Sequence, residues 1–149
     1  MNWHEAMVLA LDEARTAARA GDVPVGAVLL NADGIVLASN HNRREADGDP
    51  TAHAEMLVLR EAARRLGGWR ALGATLVVTL EPCAMCAGAI VLSRIARIVI
   101  GALDPKAGAV VSQYQLVSDP RLNHQAAVET GILSDEASQL LKQFFQARR

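Results

Sequence analysis

The chain has 149 residues, 51 % of them hydrophobic, 21 % charged and 3 % aromatic, with a net charge of −1. That length holds about one domain built on one core, so the chain is expected to form a single domain over residues 1–149. The near-zero charge excludes a global pull toward polyanions, and the few aromatics leave few base-stacking platforms, so a nucleic-acid partner needs a local basic patch.

The N-terminal stretch places Glu5, Asp12 and Glu13 within an apolar pattern. A secretory leader needs a basic start followed by an unbroken apolar run, and a membrane span needs roughly 20 apolar residues. Neither pattern is present, so a soluble, cytoplasmic protein is expected. Asn2 caps a first helix, with Glu5 in a capping-box arrangement, and Gly21 ends it. Met7, Leu11, Ala14 and Ala18 share its apolar stripe. Two short strands follow, Val25 to Leu30 and Ile35 to Ser39, joined by the turn Asn31-Ala32-Asp33-Gly34. Arg43 to Pro50 reads as a polar loop. A helix from about Thr51 to Leu66 is stopped by Gly67-Gly68. Thr75 to Thr79 is a buried strand, Cys83 to Ser93 a helix, Ile95 to Ile100 a strand, and Asp135 to Arg149 a helix. A hairpin followed by alternating helices and strands predicts a three-layer α/β domain.

The chemistry concentrates in two segments. Thr51-Ala52-His53-Ala54-Glu55 is followed about thirty residues later by Glu81-Pro82-Cys83-Ala84-Met85-Cys86, which together make H-x-E…P-C-x-x-C. Cys83 and Cys86 are the only cysteines; in a reducing cytosol a metal site or a redox pair explains them better than a structural disulfide. Zinc accepts one imidazole and two thiolates and keeps a fourth position open for water. Both sulfurs lie near the positive end of a helix, which favours thiolate. Two thiolates cancel the charge of Zn²⁺, so a carboxylate must take the proton of a water, and Glu55 is the candidate. His53 and Glu55 can serve together only at an irregular helix start, because residues two apart on a regular helix diverge. A thioredoxin-like redox pair would leave His53 and Glu55 without a role. A closed structural zinc site would need His4, His41 or His124 as fourth ligand, none at finger-like spacing.

The motif is that of zinc nucleobase deaminases, and the flanks narrow the resemblance. Asp22 to Val28, Asp49 to Glu55, Thr79 to Ala89, Ser93-Arg94-Ile95, Gly101-Ala102 with Asp104, Lys106 and Gly108, Asn123-His124, Gly131-Ile132-Leu133, and Phe144-Phe145 with Arg148-Arg149 resemble the bacterial tRNA-specific adenosine deaminases, within the cytidine/deoxycytidylate deaminase superfamily. The resemblance implies a three-layer α/β/α cytidine-deaminase-like fold with a central sheet of about five strands. It implies one Zn²⁺ per subunit on His53, Cys83 and Cys86, with Glu55 as the catalytic acid and base. It implies hydrolytic deamination of adenosine to inosine at the wobble position of tRNA, with release of ammonia. A homodimer with the anticodon stem-loop contacting both subunits is implied as well. The family's base-contacting asparagine falls on Asn42 and its substrate-contacting aspartate on Asp104; the residues by themselves read as a turn and a loop position. Arg43 to Gly48 and Val110 to Val117 depart from the family pattern, in loops able to touch RNA. Arg43, Arg44, Arg94, Lys106, Lys142, Arg148 and Arg149 are candidates for the local positive field. Phe144 and Phe145 are expected in the core or a dimer contact, one of them able to stack on RNA. Two rivals remain at this level: a small-molecule deaminase of guanine, cytosine or deoxycytidylate, and a silent zinc-containing RNA-binding module, against which the intact Glu55 argues.

Overall fold

The structure, a computed structural model, describes residues 1–148. Helix α1 (Trp3–Arg19) starts where Asn2 Oδ1 accepts the Glu5 N–H at 2.8 Å and Asn2 Nδ2 donates to Glu5 Oε1 at 2.8 Å. The first bond satisfies one backbone donor that a helix start leaves free, and the second joins the two side chains. The buried stripe of α1 is small, with Ala6, Ala10, Ala14 and Ala17 around Met7 and Leu11. It therefore lies very close to β1 (Gly26–Leu30). A Cβ at Gly26 would overlap the Ala10 carbonyl and stand 2.7 Å from Ala14 N, so the helix–strand spacing requires glycine there.

β1 turns into β2 (Val36–His41) through Asn31, whose Oδ1 accepts from the N–H groups of Asp33 and Ile35, each at 2.9 Å. The strand starts one residue later than the sequence suggested and runs two further, with a register irregularity at Leu29/Leu30. The polar loop contains one turn of helix, α2 (Arg44–Asp47). Helix α3 (Ala54–Leu66) begins three residues after the expected Thr51. β3 (Thr75–Leu80), α4 (Ala84–Leu92) and β4 (Arg97–Ala102) follow. β4 starts two residues late because Arg94 takes a left-handed conformation (φ 63°) and buried Ile95 fills the corner before the strand. A fifth strand, β5 (Ala127–Thr130), gave no sequence signal: it is a short, mostly exposed edge. Helix α5 (Ser134–Gln146) closes the fold; it starts one residue before the expected Asp135 and stops short of the expected Arg149, with Ala147 and Arg148 in a turn and Arg149 outside the described residues.

The sheet order is β2-β1-β3-β4-β5, with β1 antiparallel to both neighbours and β3, β4 and β5 parallel. Strand side chains alternate between faces. Val28, Leu30, Val77 and Val99 pack with α1 and α5, whereas Ala27, Leu29, Leu76, Val78, Ile98 and Ile100 pack with α3 and α4. This is the α/β/α sandwich expected from the sequence. The C-terminal ends of parallel β3 and β4 open at the edge where α3 and α4 begin, the usual place for a site in such sheets.

Candidate zinc and substrate site

His53 is not a helix-face residue. It is the N-cap of α3, with extended backbone (φ −77°, ψ 148°), and Glu55 is the second residue of the helix proper. Cys83 is likewise the extended N-cap of α4 (φ −75°, ψ 177°), and Cys86 is its third residue. Two helix N-termini thus meet, and their free N–H groups bias the space between them toward negative ligands. Asn42, buried just after β2, fixes the first of these ends: its Oδ1 accepts the Ala54 N–H at 2.9 Å. That bond assigns the oxygen and leaves the amide NH₂ as the donor.

His53 Nδ1 lies 3.7 Å from Cys83 Sγ and 3.6 Å from Cys86 Sγ. Zinc–nitrogen and zinc–sulfur bonds of about 2.05 and 2.3 Å at a tetrahedral angle separate nitrogen from sulfur by about 3.6 Å. Both nitrogen–sulfur separations therefore suit tetrahedral zinc, and the three ligand atoms all lie within 4.8 Å of one another. Among the described residues it is the cluster of three or more His, Cys, Asp or Glu side chains able to hold a metal. The other histidines do not join it: His41 Nδ1 contacts Glu13 Oε1 at 2.7 Å, His124 Nε2 contacts the Ile95 carbonyl at 2.6 Å, and His4 is exposed. Among the described residues no fourth His, Cys, Asp or Glu joins the three, unlike the ligand set of a closed structural site. Hydrogen bonds from Cys86 and from the His53 ring draw the Cys83 thiol down to about 3. The same contact with Cys83, together with burial, pushes the Cys86 thiol up. Hydrogen bonding to Cys83 raises His53. The second thiolate is thus disfavoured beside the first, a conflict that a dication between the sulfurs resolves.

Glu55 is 3 % exposed, and its Oε1 is buried without a hydrogen-bond partner. Burial pushes its carboxyl up to about 7, the range in which a proton both leaves and returns readily near neutrality. An orphaned carboxylate oxygen beside three residues able to hold a metal matches the demand for a water between them.

Asn42, His53, Glu55, Cys83 and Asp104 line one cavity of about 180 Å³. Drug-sized pockets run to roughly 300–1,000 Å³, so this one suits a single ring system rather than a whole nucleotide. Asp104, which follows β4, accepts the Lys106 and Ala107 N–H groups on Oδ1 at 3.1 and 3.2 Å. Its own N–H is held by Glu81, a motif residue to which sequence patterning assigns no role. The Glu81 carboxylate is 2 % exposed and accepts from the N–H groups of Asp104, Val110, Val111 and Ser112 and from the Ser112 hydroxyl. It pins the 104–112 loop over the cavity, and Gly108 packs on it so tightly that a Cβ would overlap the carboxylate. Asp22 plays the matching part on the opposite rim: 2 % exposed, it accepts from Arg44, from Glu45 N–H and from Val23 N–H. The one local clue to both was an acid set against an apolar strand.

Of the basic candidates, Arg44 lines the cavity, whereas Arg43 is closed onto Asp47. Arg94 lies 5.6 Å from the Trp69 ring centroid, and Arg148 stacks at 3.5 Å on Phe144. Lys106 and Lys142 are exposed. Phe144 is buried and Phe145 is 48 % exposed. Arg149 lies outside the described residues.

Residues 1–102 match the family defined by the cytidine and deoxycytidylate deaminase zinc-binding region. A tRNA-specific adenosine deaminase of Bacillus subtilis is 50 % identical over 140 residues, 94 % of this chain and 86 % of that protein. Its counterpart in Aquifex aeolicus is 48 % identical, covering 95 % and 92 %. A solved structure from a study of A-to-I editing by tRNA:A34 deaminases at the wobble position of transfer RNA superposes with a TM-score of 0.88 at 47 % identity, covering 92 % of this chain and 99 % of that one. A guanine deaminase from Nitrosomonas europaea shares the fold at TM-score 0.81 but only 25 % identity, covering 95 % and 83 %.

Proposed function

The chain belongs to the cytidine and deoxycytidylate deaminase zinc-binding family and, within it, to the tRNA-specific adenosine deaminases, and from that premise we propose that it hydrolyses adenosine to inosine at the wobble position of the tRNA anticodon, releasing ammonia. The observation that carries the chemistry is the orphaned Glu55 oxygen beside a triad spaced for zinc.

His53 Nδ1 and the Cys83 and Cys86 sulfurs would hold one zinc ion. When bound, zinc supplies a Lewis acid that lowers the pKa of water from 15.7 toward about 7. Glu55 then carries two protons in turn. It takes one from the attacking water and delivers it to N1 of adenine as C6 becomes tetrahedral, and it takes a second from the new C6 hydroxyl and gives it to the departing amine as the C6 carbonyl forms. Its buried position suits proton transfer in both directions, because the carboxyl sits near 7 and has no competing partner on Oε1. Asn42 and Asp104 hold the base, as the family resemblance implies; their place in the same cavity as Glu55 supports this. A cavity of this size behind the helix ends admits a base only after it leaves its stack, which an anticodon loop offers at low cost.

The protein acts as a homodimer in the cytoplasm, with the stem-loop reaching both subunits. What supports the dimer is an apolar groove between α3 and α4, where Leu92 is 68 % and Trp69 53 % exposed. Among the described residues no helix is long and apolar enough to cross a membrane. The direct test incubates zinc-loaded protein with an anticodon stem-loop carrying adenosine at the wobble position, beside free adenosine, guanine, cytosine and deoxycytidylate. Inosine at that position with the free compounds inert is the expected result. Turnover of a free base with an untouched stem-loop would reassign the substrate.

A further inference from the structure

The cavity takes a base and leaves the sugar and its phosphates at the rim, so the rim must meet the strand itself. Arg44 is the cation there. Its side chain lines the cavity together with Val23, Asn42 and His53. Unlike the neighbouring Arg43, it is braced from behind by a buried group. Asp22 Oδ1 accepts Arg44 Nε and Nη2 at 3.1 and 3.0 Å, while the other Asp22 oxygen takes the Glu45 N–H at 3.0 Å. Asp22 is 2 % exposed, whereas the Arg44 side chain is 37 % exposed. A long side chain partly in solvent is thereby held in one orientation. One edge of the planar guanidinium is used by Asp22, and the donors of Nη1 make no hydrogen bond among the described residues. A fork fixed on one edge and free on the other is pre-organised for a second oxyanion.

We propose that Arg44, held by buried Asp22, forms a phosphodiester subsite that reads the backbone phosphate adjacent to the reacting nucleoside. The inference rests on the RNA reading above and deepens it. It explains how a cavity shaped for one base favours a base borne on a strand over a free base or nucleoside, since neither of the latter carries that phosphate.

The test measures binding of a fluorescein-labelled anticodon stem-loop to zinc-loaded protein by anisotropy, at NaCl concentrations between about 50 and 200 mM. Arg44→Gln is expected to bind about tenfold more weakly, as loss of one charge-assisted contact implies, with unchanged zinc content. The slope of log affinity against log salt should become shallower by about 0.7–1, the share of one phosphate contact. The double variant Asp22→Asn/Arg44→Gln keeps the wild-type net charge and should show the same loss, which separates a local contact from the general field. Arg44→Lys keeps the charge without the fork and should recover only part of the affinity. Wild-type affinity and slope in both Arg44→Gln and the double variant would overturn the subsite. So would a fall in melting temperature with no change in slope, the mark of a purely structural ion pair. Failure of the wild-type protein to bind the stem-loop would overturn the RNA reading and the subsite together, whereas wild-type turnover with unaffected variants would overturn the subsite alone.

Discussion

Replacing Glu81 by Gln tests whether a buried carboxylate holds the substrate wall in place. In the wild-type protein Oε2 accepts the N–H groups of Val110, Val111 and Ser112 at 3.2, 2.8 and 2.9 Å, and Oε1 accepts the Asp104 N–H at 2.9 Å and the Ser112 hydroxyl at 2.6 Å. An amide can keep its oxygen toward the three clustered N–H groups. Its NH₂ must then face the Asp104 N–H, donor against donor, while the Ser112 hydroxyl rotates to accept. One orphaned buried N–H costs about 1–3 kcal/mol, and the three surviving bonds lose their ionic reinforcement. Together these effects amount to about 2–4 kcal/mol. For a chain of this size that lowers the melting temperature by about 5–15 °C. The assay is thermal unfolding of zinc-loaded protein, with amide exchange read at Asp104 and at residues 110–112, where protection should fall first. A melting temperature within about 2 °C of wild type, the shift that about 0.5 kcal/mol produces, would mean instead that the five contacts contribute almost nothing and that Glu81 does not hold the loop.

Glu55→Gln should retain zinc and lose about 10²–10⁴-fold in turnover, the contribution typical of a general acid–base; normal turnover with full zinc occupancy would exclude Glu55 as the proton carrier. Cys86→Ser should lose stoichiometric zinc on dialysis, measured by metal analysis, since it removes one of three protein ligands; full retention would mean that the buried sulfur is not a ligand. Asp22 and Glu81 supply the acid limb of stability. Burial alone would raise both carboxyls, but hydrogen bonds from Glu45, Arg44 and Val23 to Asp22, and from Ser112, Val111 and Asp104 to Glu81, hold them below the ordinary 3.8 and 4.5. A folded-state value below the unfolded one means that the contribution is complete above about 4.5 and fades as pH falls through the lower folded values. Stability should therefore drop below pH ~4.5 and the drop should be smaller in Asp22→Asn; an equal acid loss in that variant would mean that Asp22 contributes nothing to it.

The zinc triad and Glu55 were legible because each half of the motif is local: His53 lies two residues from Glu55, and Cys83 three from Cys86. Strands β1, β3 and β4 were legible from apolar runs that end up buried, as Val77, Val78, Ile98 and Ile100 do, and β2 from the turn Asn31-Ala32-Asp33-Gly34 that leads into it. Boundaries were harder, because helix starts are fixed by contacts distant in sequence: α3 begins at Ala54, where Asn42 accepts its N–H across 12 positions. β5 carries an exposed Ala-Val-Glu-Thr and is specified by its parallel pairing to β4 rather than by its own pattern. Glu81 and Asp22 escaped for the same reason. Beyond its place against an apolar strand, each buried acid is marked mainly by donors brought from 22 to 31 residues away, and no local periodicity records those. The rim is thus where the sequence says least, whereas the His53, Cys83 and Cys86 cluster behind it stands out in the sequence.

Hydrolytic deamination of one strand-borne adenosine puts a water oxygen on C6 of the product, where an isotope label reports it. Zinc-loaded protein would be incubated with the anticodon stem-loop in ¹⁸O-enriched water, and the product digested and analysed by mass spectrometry. Hydrolysis predicts inosine carrying one heavy oxygen at the wobble nucleotide alone, with one equivalent of ammonia released. Unlabelled inosine, label spread over other adenosines, or an unchanged stem-loop would contradict it.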